Sequence, residues 1–186
     1  MHSTKNSHRL YLSGAAALLL GFTSAAIFAS TTKLSALQSR TSAAAAIQPL
    51  AYFIGQWTCD GHFTSNNQPT SATITASLDL QNSWLNFRWD DKPPSQFHAL
   101  ELWGFNKTSK QFTNFIYDNF GGVRMFTSPG WDGDTLIWLG DALADPNNPN
   151  QRFVIARKSS KEFVITWQTH QPQGDWRTGD ELTCKQ

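Results

Sequence analysis

From residue 52 onward, hydrophobic and polar positions alternate with a period of two. Ala72, Ile74, Ala76, Leu78 and Leu80 are separated by Thr73, Thr75, Ser77 and Asp79. Leu85, Phe87 and Trp89 are separated by Asn86 and Arg88, and Phe163, Ile165 and Trp167 alternate with Thr166 and Gln168. Strict alternation marks strands with one face buried and one wet. Turn residues punctuate the pattern at Asn66-Asn67, Asp91 to Pro94, Asn106 to Thr108, Gly121-Gly122, Pro129-Gly130, Asp132-Gly133, Asp145 to Asn150, Ser159-Ser160 and Gln171 to Gly174. Gly121-Gly122 supplies the positive φ that a tight hairpin needs. The runs between these breakers predict about ten strands, over 54–64, 70–80, 83–90, 96–105, 111–118, 122–128, 134–140, 151–158, 162–169 and 176–185. No helical pattern of ten or more residues follows residue 50. Spacing of this kind predicts an antiparallel sandwich or barrel.

Two cysteines decide between those architectures. Cys59 and Cys184 are the only ones, and they fall in the first and last predicted strands. They form no CxxC pair and lack the close ligand pairs of a zinc site. In an oxidising compartment they read as one structural disulfide, the alternative being two buried thiols. A bond requires Cα atoms within about 7 Å, so the first and last strands must be neighbours. A sheet whose ends pair closes on itself and loses its exposed edges. The expected fold class is therefore all-β: an antiparallel up-and-down barrel of about ten strands, with a bore wide enough to leave a cavity.

The compartment follows from the amino terminus. Lys5 and Arg9 precede LYLSGAAALLLGFTSAAIFA, and small residues stand near Ala26 and Ala29. This is the layout of a secretory signal peptide over residues 1–29, with an uncleaved membrane anchor as the other reading. Ser13, Gly14, Gly21, Thr23 and Ser24 dilute the apolar run, and no stop-transfer cluster follows. Residues 30–46, rich in Ser, Thr and Ala, read as a flexible tether, leaving 47–186 as the barrel domain. The expected location is periplasmic or secreted, with no stable membrane span once the signal is removed. The full chain carries a formal charge of +1, but residues 51–186 hold eleven basic and fourteen acidic groups, a net of −3. That balance gives no footprint for nucleic acid.

Ile47 to Trp57 reads IQPLAYFIGQW. Pro49 suits the first turn of a short helix and Gly55 its stop. Leu50, Phe53 and Ile54 give the turn an apolar face that can plug the bottom of a barrel, with Trp57 packing across the floor. PLAYFIGQW, then a hairpin, SWLNFRW and LELWGFNKTSKQF, resembles a bacterial calycin-like, lipocalin-like domain family of unknown function. That family is distantly similar to the nitrobindins, ten-stranded haem barrels. The resemblance covers roughly 49–185 and implies the fold rather than a reaction. The nitrobindin relation directs attention to an iron ligand near the last strands. Here the nearest histidine is His170, beside Gln171-Pro172 at a turn, and 175–185 holds none. No cofactor and no metal are expected.

No GxSxG, HExxH, P-loop or GxGxxG motif occurs. Candidate lumen residues come from strand parity. In FHALELWGF, Phe97, Ala99, Glu101, Trp103 and Phe105 share one face, and His98 lies with Leu100 and Leu102 on the other. Both faces are apolar, so the register stays open: Glu101 is either a lumenal carboxylate or an outward residue, and His98 can face either way. A lumenal Glu101 would need a partner or a raised pKa. Arg124 and Asp118 are the candidates to join it. Trp89, Trp103, Trp138 and Trp167 could line an apolar pocket or fill the core. Arg88 reads as outward. Trp131 and Trp176 stand in predicted loops where they could cap the mouth, and the loop from Asp141 to Gln151 reads as a solvated connection or a lid. These features predict an exported barrel that binds a small hydrophobic or amphipathic molecule. The competing readings are an envelope interaction module and an enzyme using a lumenal carboxylate.

Overall fold

The computed structural model describes residues 44–142 and 150–186. The expected signal peptide over 1–29, residues 30–43 of the tether expected over 30–46, and the middle of the Asn/Pro-rich loop, 143–149, lie outside the described residues; the last residues of that expected tether are helical. Residues 44–47 form a helical turn that runs into a 3-10 helix, Gln48–Phe53. Eleven strands follow: β1 (Gly55–Phe63), β2 (Pro69–Asp79), β3 (Trp84–Asp91), β4 (His98–Asn106), β5 (Gln111–Asp118), β6 (Val123–Ser128), β7 (Trp131–Asp132), β8 (Thr135–Asp141), β9 (Gln151–Ser159), β10 (Glu162–His170) and β11 (Trp176–Lys185).

From β1 to β6 and from β7 to β11, each strand pairs antiparallel with its sequence neighbour, and β1 also pairs with β11. β6 pairs with β8 through Met125–Asp141, Phe126–Gly140 and Thr127–Leu139. These last two pairings close a ten-stranded barrel, and closure leaves no long unpaired edge. β7 is the one strand the alternation does not announce. It is a two-residue flap on β8, hidden in the sequence between two breakers, Pro129-Gly130 and Asp132-Gly133. Elsewhere side-chain parity sets the faces. In β2, Ala72, Ile74 and Ala76 are buried while Thr73, Thr75 and Ser77 are exposed.

The seam between the first and last strands carries the disulfide. Cys59 stands opposite Cys184, their Cα atoms are 3.9 Å apart, and both side chains are fully buried. The loop it closes spans 125 positions, so the bond restricts the unfolded chain strongly.

At the end of the barrel where β1 begins, the 3-10 helix is the floor. Proline in its first turn costs nothing because that N–H has no helical partner. Ile47, Leu50 and Phe53 are buried beneath it. The Phe53 ring is 5.0 Å from Trp103, 5.4 Å from Phe163 and 6.3 Å from Phe87, and it stacks on Trp131 at 5.7 Å. Trp57 Nε1 donates to the Phe53 carbonyl at 2.8 Å, tying β1 to the plug. Tyr52 Oη lies 2.9 Å from both the Ser159 and the Glu162 carbonyl on the β9–β10 hairpin, which share its one proton.

Trp131 corrects an expectation. It belongs to the floor rather than the mouth: its Nε1 donates to the Pro49 carbonyl at 2.8 Å, and the Arg157 guanidinium lies 3.7 Å over its ring. Trp176, at the opposite end, stacks with Arg152 at 4.2 Å and against His170 instead of covering the bore. Among the described residues, no helix is long and apolar enough to cross a membrane.

Candidate lumenal site

Above the plug the barrel is hollow. A cavity of about 320 Å³ lies among residues contributed by every barrel strand. Its walls are aromatic: Phe87 and Trp89 on β3, Trp103 on β4, Trp138 on β8, Phe153 on β9 and Trp167 on β10 line it. Phe87 and Trp103 stack at 4.4 Å, and Trp138 meets Trp103 at 5.0 Å, so three rings form a rigid base above Phe53.

The register of β4, open from the sequence, is settled by this packing. Trp103 is 2 % exposed and points inward, so Glu101 points inward too. Its Oε2 accepts hydrogen bonds from Trp103 Nε1 at 2.8 Å and from Asn114 Nδ2 at 2.6 Å. Asn114 stands directly across from Trp103 on β5, which brings its amide to the carboxylate. Burial pushes the Glu101 carboxyl up to about 7, against the two hydrogen bonds and the Arg124 charge that pull it down. A carboxyl at that value exchanges its proton near neutral pH.

Two more acids face the same space. Asp91, at the end of β3, accepts from Trp89 Nε1 and from Ser95 Oγ, each at 2.6 Å. Asp180, on β11, accepts from the Trp167 backbone N–H at 3.2 Å. Burial lifts Asp180 to about 6, and the Asp91 charge adds to the rise. Parity places both, since Asp91 follows Phe87 and Trp89, and Asp180 precedes Leu182 and Cys184. Sequence reasoning misses Asp91 because it opens the Asp-Lys-Pro-Pro breaker. It misses Asp180 because the last strand, read as a unit, shows no clear division of faces.

Arg124 also lines the cavity. Its Nη2 is 2.7 Å from Asp118 Oδ2, and the guanidinium lies 5.9 Å from the centre of the Phe97 ring. The Asp118 side chain is 8 % exposed and is not among the residues that line the cavity; it holds the hairpin, its Oδ1 accepting from the backbone N–H groups of Phe120 and Gly122. Gly121 takes the positive φ of that turn, 84°. Gly122 is needed for closeness instead, because a Cβ there would stand 2.3 Å from Asp118 Oδ2.

Polar atoms without protein partners concentrate around the cavity. Asn114 Oδ1, Trp138 Nε1 and Arg124 Nε are buried and make no hydrogen bond. Such atoms are uncommon in folded proteins and costly in a dry interior. A fourth, Arg157 Nε, lies at the floor between the Tyr52 and Trp131 rings.

His98 departs from the candidate set. It lies outside the barrel, its Nδ1 2.8 Å from Asp90 Oδ1, and Arg88 holds the same carboxylate oxygen at 2.9 Å. Leu100 and Leu102 share its parity, and because both strand faces are apolar the sequence hid this. Glu101, Asp118 and His98 thus each bond to other groups and not to one another. Among the described residues, no cluster of three or more His, Cys, Asp or Glu could hold a metal ion. His170 ends β10 and is exposed.

Similar architecture occurs in a solved structure. Rv2717c from M. tuberculosis superposes with a TM-score of 0.52 at 10 % identity, over 76 % of this chain and 96 % of that one. A protein of unknown function from the DUF3598 family of Nostoc punctiforme aligns at 9 % identity with a TM-score of 0.37, over 73 % of this chain and 48 % of its own. At such identities the first shows the fold alone. No curated protein matches the chain. Residues 43–184 match the model of DUF1579, a protein family of unknown function, and the chain belongs to that family.

Proposed function

With no activity assigned to DUF1579, we propose that this barrel holds a small apolar or amphipathic molecule in its upper lumen. The observation that carries the reading is the cavity of about 320 Å³, lined by aromatic rings and by the carboxylates Glu101, Asp91 and Asp180. An apolar void forfeits dispersion contacts, and unpaired buried polar atoms cost more. A molecule with an apolar body fills the void, and a polar head meets the carboxylates that line it. The volume is at the lower end for ligand pockets, so the molecule is small. The test is thermal unfolding with a panel of hydrophobic and amphipathic compounds. Binding raises Tm with concentration, by the equivalent of about 2.7 kcal/mol at a hundred times Kd. Ile165→Trp, which fills the lumen, abolishes the shift while the barrel stays folded. A panel without effect on the wild-type protein would end the reading.

The same proposal includes a calycin-like ancestry and export to the periplasm or beyond. Support comes from the Gly55-Gln56-Trp57 entry into β1, the basic-then-apolar amino terminus and the cross-strand disulfide. The mass of the mature protein under non-reducing conditions tests cleavage near residue 29 and the bond together. A second reading, an interaction module, rests on the outer wall. Leu100, Tyr117 and Val123 form one row across β4, β5 and β6, exposed by 36, 44 and 48 %. Leu100→Lys would abolish partner capture under that reading and leave lumenal binding untouched.

A further inference from the structure

The charges facing the lumen are one-sided. Glu101, Asp91 and Asp180 all line it, and among the described residues Arg124 is the one cationic side chain that does. That cation is already held by Asp118 at 2.7 Å. The three acids have hydrogen-bond donors, but no cation contacts them within the cavity. Burying a carboxylate away from a counter-charge is expensive, and such groups persist where a ligand or reaction uses them. Asn114 sharpens the point. Its amide donates Nδ2 to Glu101, which leaves Oδ1 as an unsatisfied acceptor beside the carboxylate. An unpaired carbonyl dipole beside the carboxylate adds to the negative potential that draws a cation. Trp89, Phe153 and Trp167 line the same cavity and keep part of their rings accessible, and an aromatic π face attracts a cation.

We infer that the lumenal ligand is an amine, carrying a protonated nitrogen that pairs with Glu101 and an apolar body that fills the aromatic upper cavity. This rests on the small-ligand reading above and narrows it to one chemical class. The unpartnered donors, Trp138 Nε1 and Arg124 Nε, do not select for charge; they call for an acceptor oxygen, on the ligand or on water. The groups that set the local field are Asp91 from β3, Asp118 from β5, Arg124 from β6 and Asp180 from β11, with Glu101 itself on β4. Asp118 and Arg124 cancel, so a bound ammonium meets a net negative lumen.

Calorimetric titration with 1-naphthylmethylamine, 1-naphthylmethanol and 1-naphthoate, three molecules of one shape and different charge, tests the inference. The amine is expected to bind at least about tenfold more tightly than the alcohol, with the carboxylate weakest. Glu101→Gln, which keeps the shape, brings amine and alcohol to near equality, and Asp180→Asn lowers the amine affinity less. Amine affinity rises from pH 6 to pH 8, because a cation favours the ionised carboxylate, and Glu101 loses its proton near 7. A wild-type protein that binds the alcohol as well as the amine, or prefers the naphthoate, overturns the amine assignment but leaves lumenal binding standing. A Glu101→Gln protein that melts like the wild type and keeps its amine preference overturns the assignment in the same way. Failure of all three probes to bind removes the small-ligand reading itself.

Discussion

Phe53 at the floor and Glu101 half-way up the bore both touch Trp103, yet their surroundings differ in kind. Around Phe53, five aromatic rings lie within 6.3 Å, and the neighbouring polar groups of Tyr52, Trp57 and Trp131 all donate to carbonyls. Above Trp103 the rings continue, but they border open space, and Asn114, Trp138 and Arg124 keep atoms unpaired. The floor is a core that a 3-10 helix completes. The upper lumen is a core with its centre missing and acids set into the wall. A bore of ten strands is too wide for its own side chains, so one end is filled by a segment from outside the sheet and the other stays empty. Arg157 is the floor's exception: its Nε is unpartnered, but aromatic faces on two sides shelter the charge.

Truncation should expose the contrast most strongly. Phe53→Ala removes a fully buried ring and is expected to cost about 3–5 kcal/mol. Phe153→Ala, at the half-open wall, is expected to cost less than about 2 kcal/mol because the ring already borders space. Urea unfolding of both checks this, and equal losses would mean the two ends are packed alike. Next in size is the seam: Cys59→Ala with Cys184→Ala is expected to cost about 2–5 kcal/mol, read from the same curves. That loss should be independent of any lumenal ligand.

A pH series separates the two ends by charge. The Glu101 carboxyl, near 7 in the folded state, lies above its unfolded value. The native protein therefore holds more protons than the unfolded chain between about 4.5 and 7. Its contribution is full below that window and is lost as pH rises through it, on the order of 3 kcal/mol in total. Wild type should lose that much relative to Glu101→Gln between pH 4.5 and 8, measured by unfolding at each pH; parallel profiles would deny the burial. Smallest of the set is Gly122→Ala. It pushes the Asp118 carboxylate away from Arg124 and should cost about 1 kcal/mol, with no change at the floor. In an Asp118→Ala background, which removes the atoms the new Cβ meets, the glycine change should cost much less, and an undiminished cost would place the strain elsewhere.

Much of this barrel is legible in its residues. Alternation in 72–80 and 162–169 puts β2 and β10 on the chain to within a few residues, and the two cysteines pair its ends from the sequence alone. What stays hidden has physical causes. β4 is apolar on both faces because its outer leucines form part of an exposed apolar row, so parity alone cannot orient Glu101 or His98. Asp91 carries two signals at once, the first residue of a turn and the last inward position of a strand. Trp131 looks like a loop residue because its partners, Pro49 and Phe53, lie far from it along the chain.

The seam sets an order of assembly. The first strand can satisfy one hydrogen-bonding edge with the β2 that follows it, while the other waits for a segment 125 positions later. Until that segment arrives the sheet is a curled ribbon with an unpaired margin, and both sulfurs are still open to solvent and to any oxidant in it. Once the ribbon becomes a ring they are sealed inside its wall. Oxidation must then precede or accompany the last pairing, and a reductant added afterwards finds its target only in molecules that have momentarily unrolled.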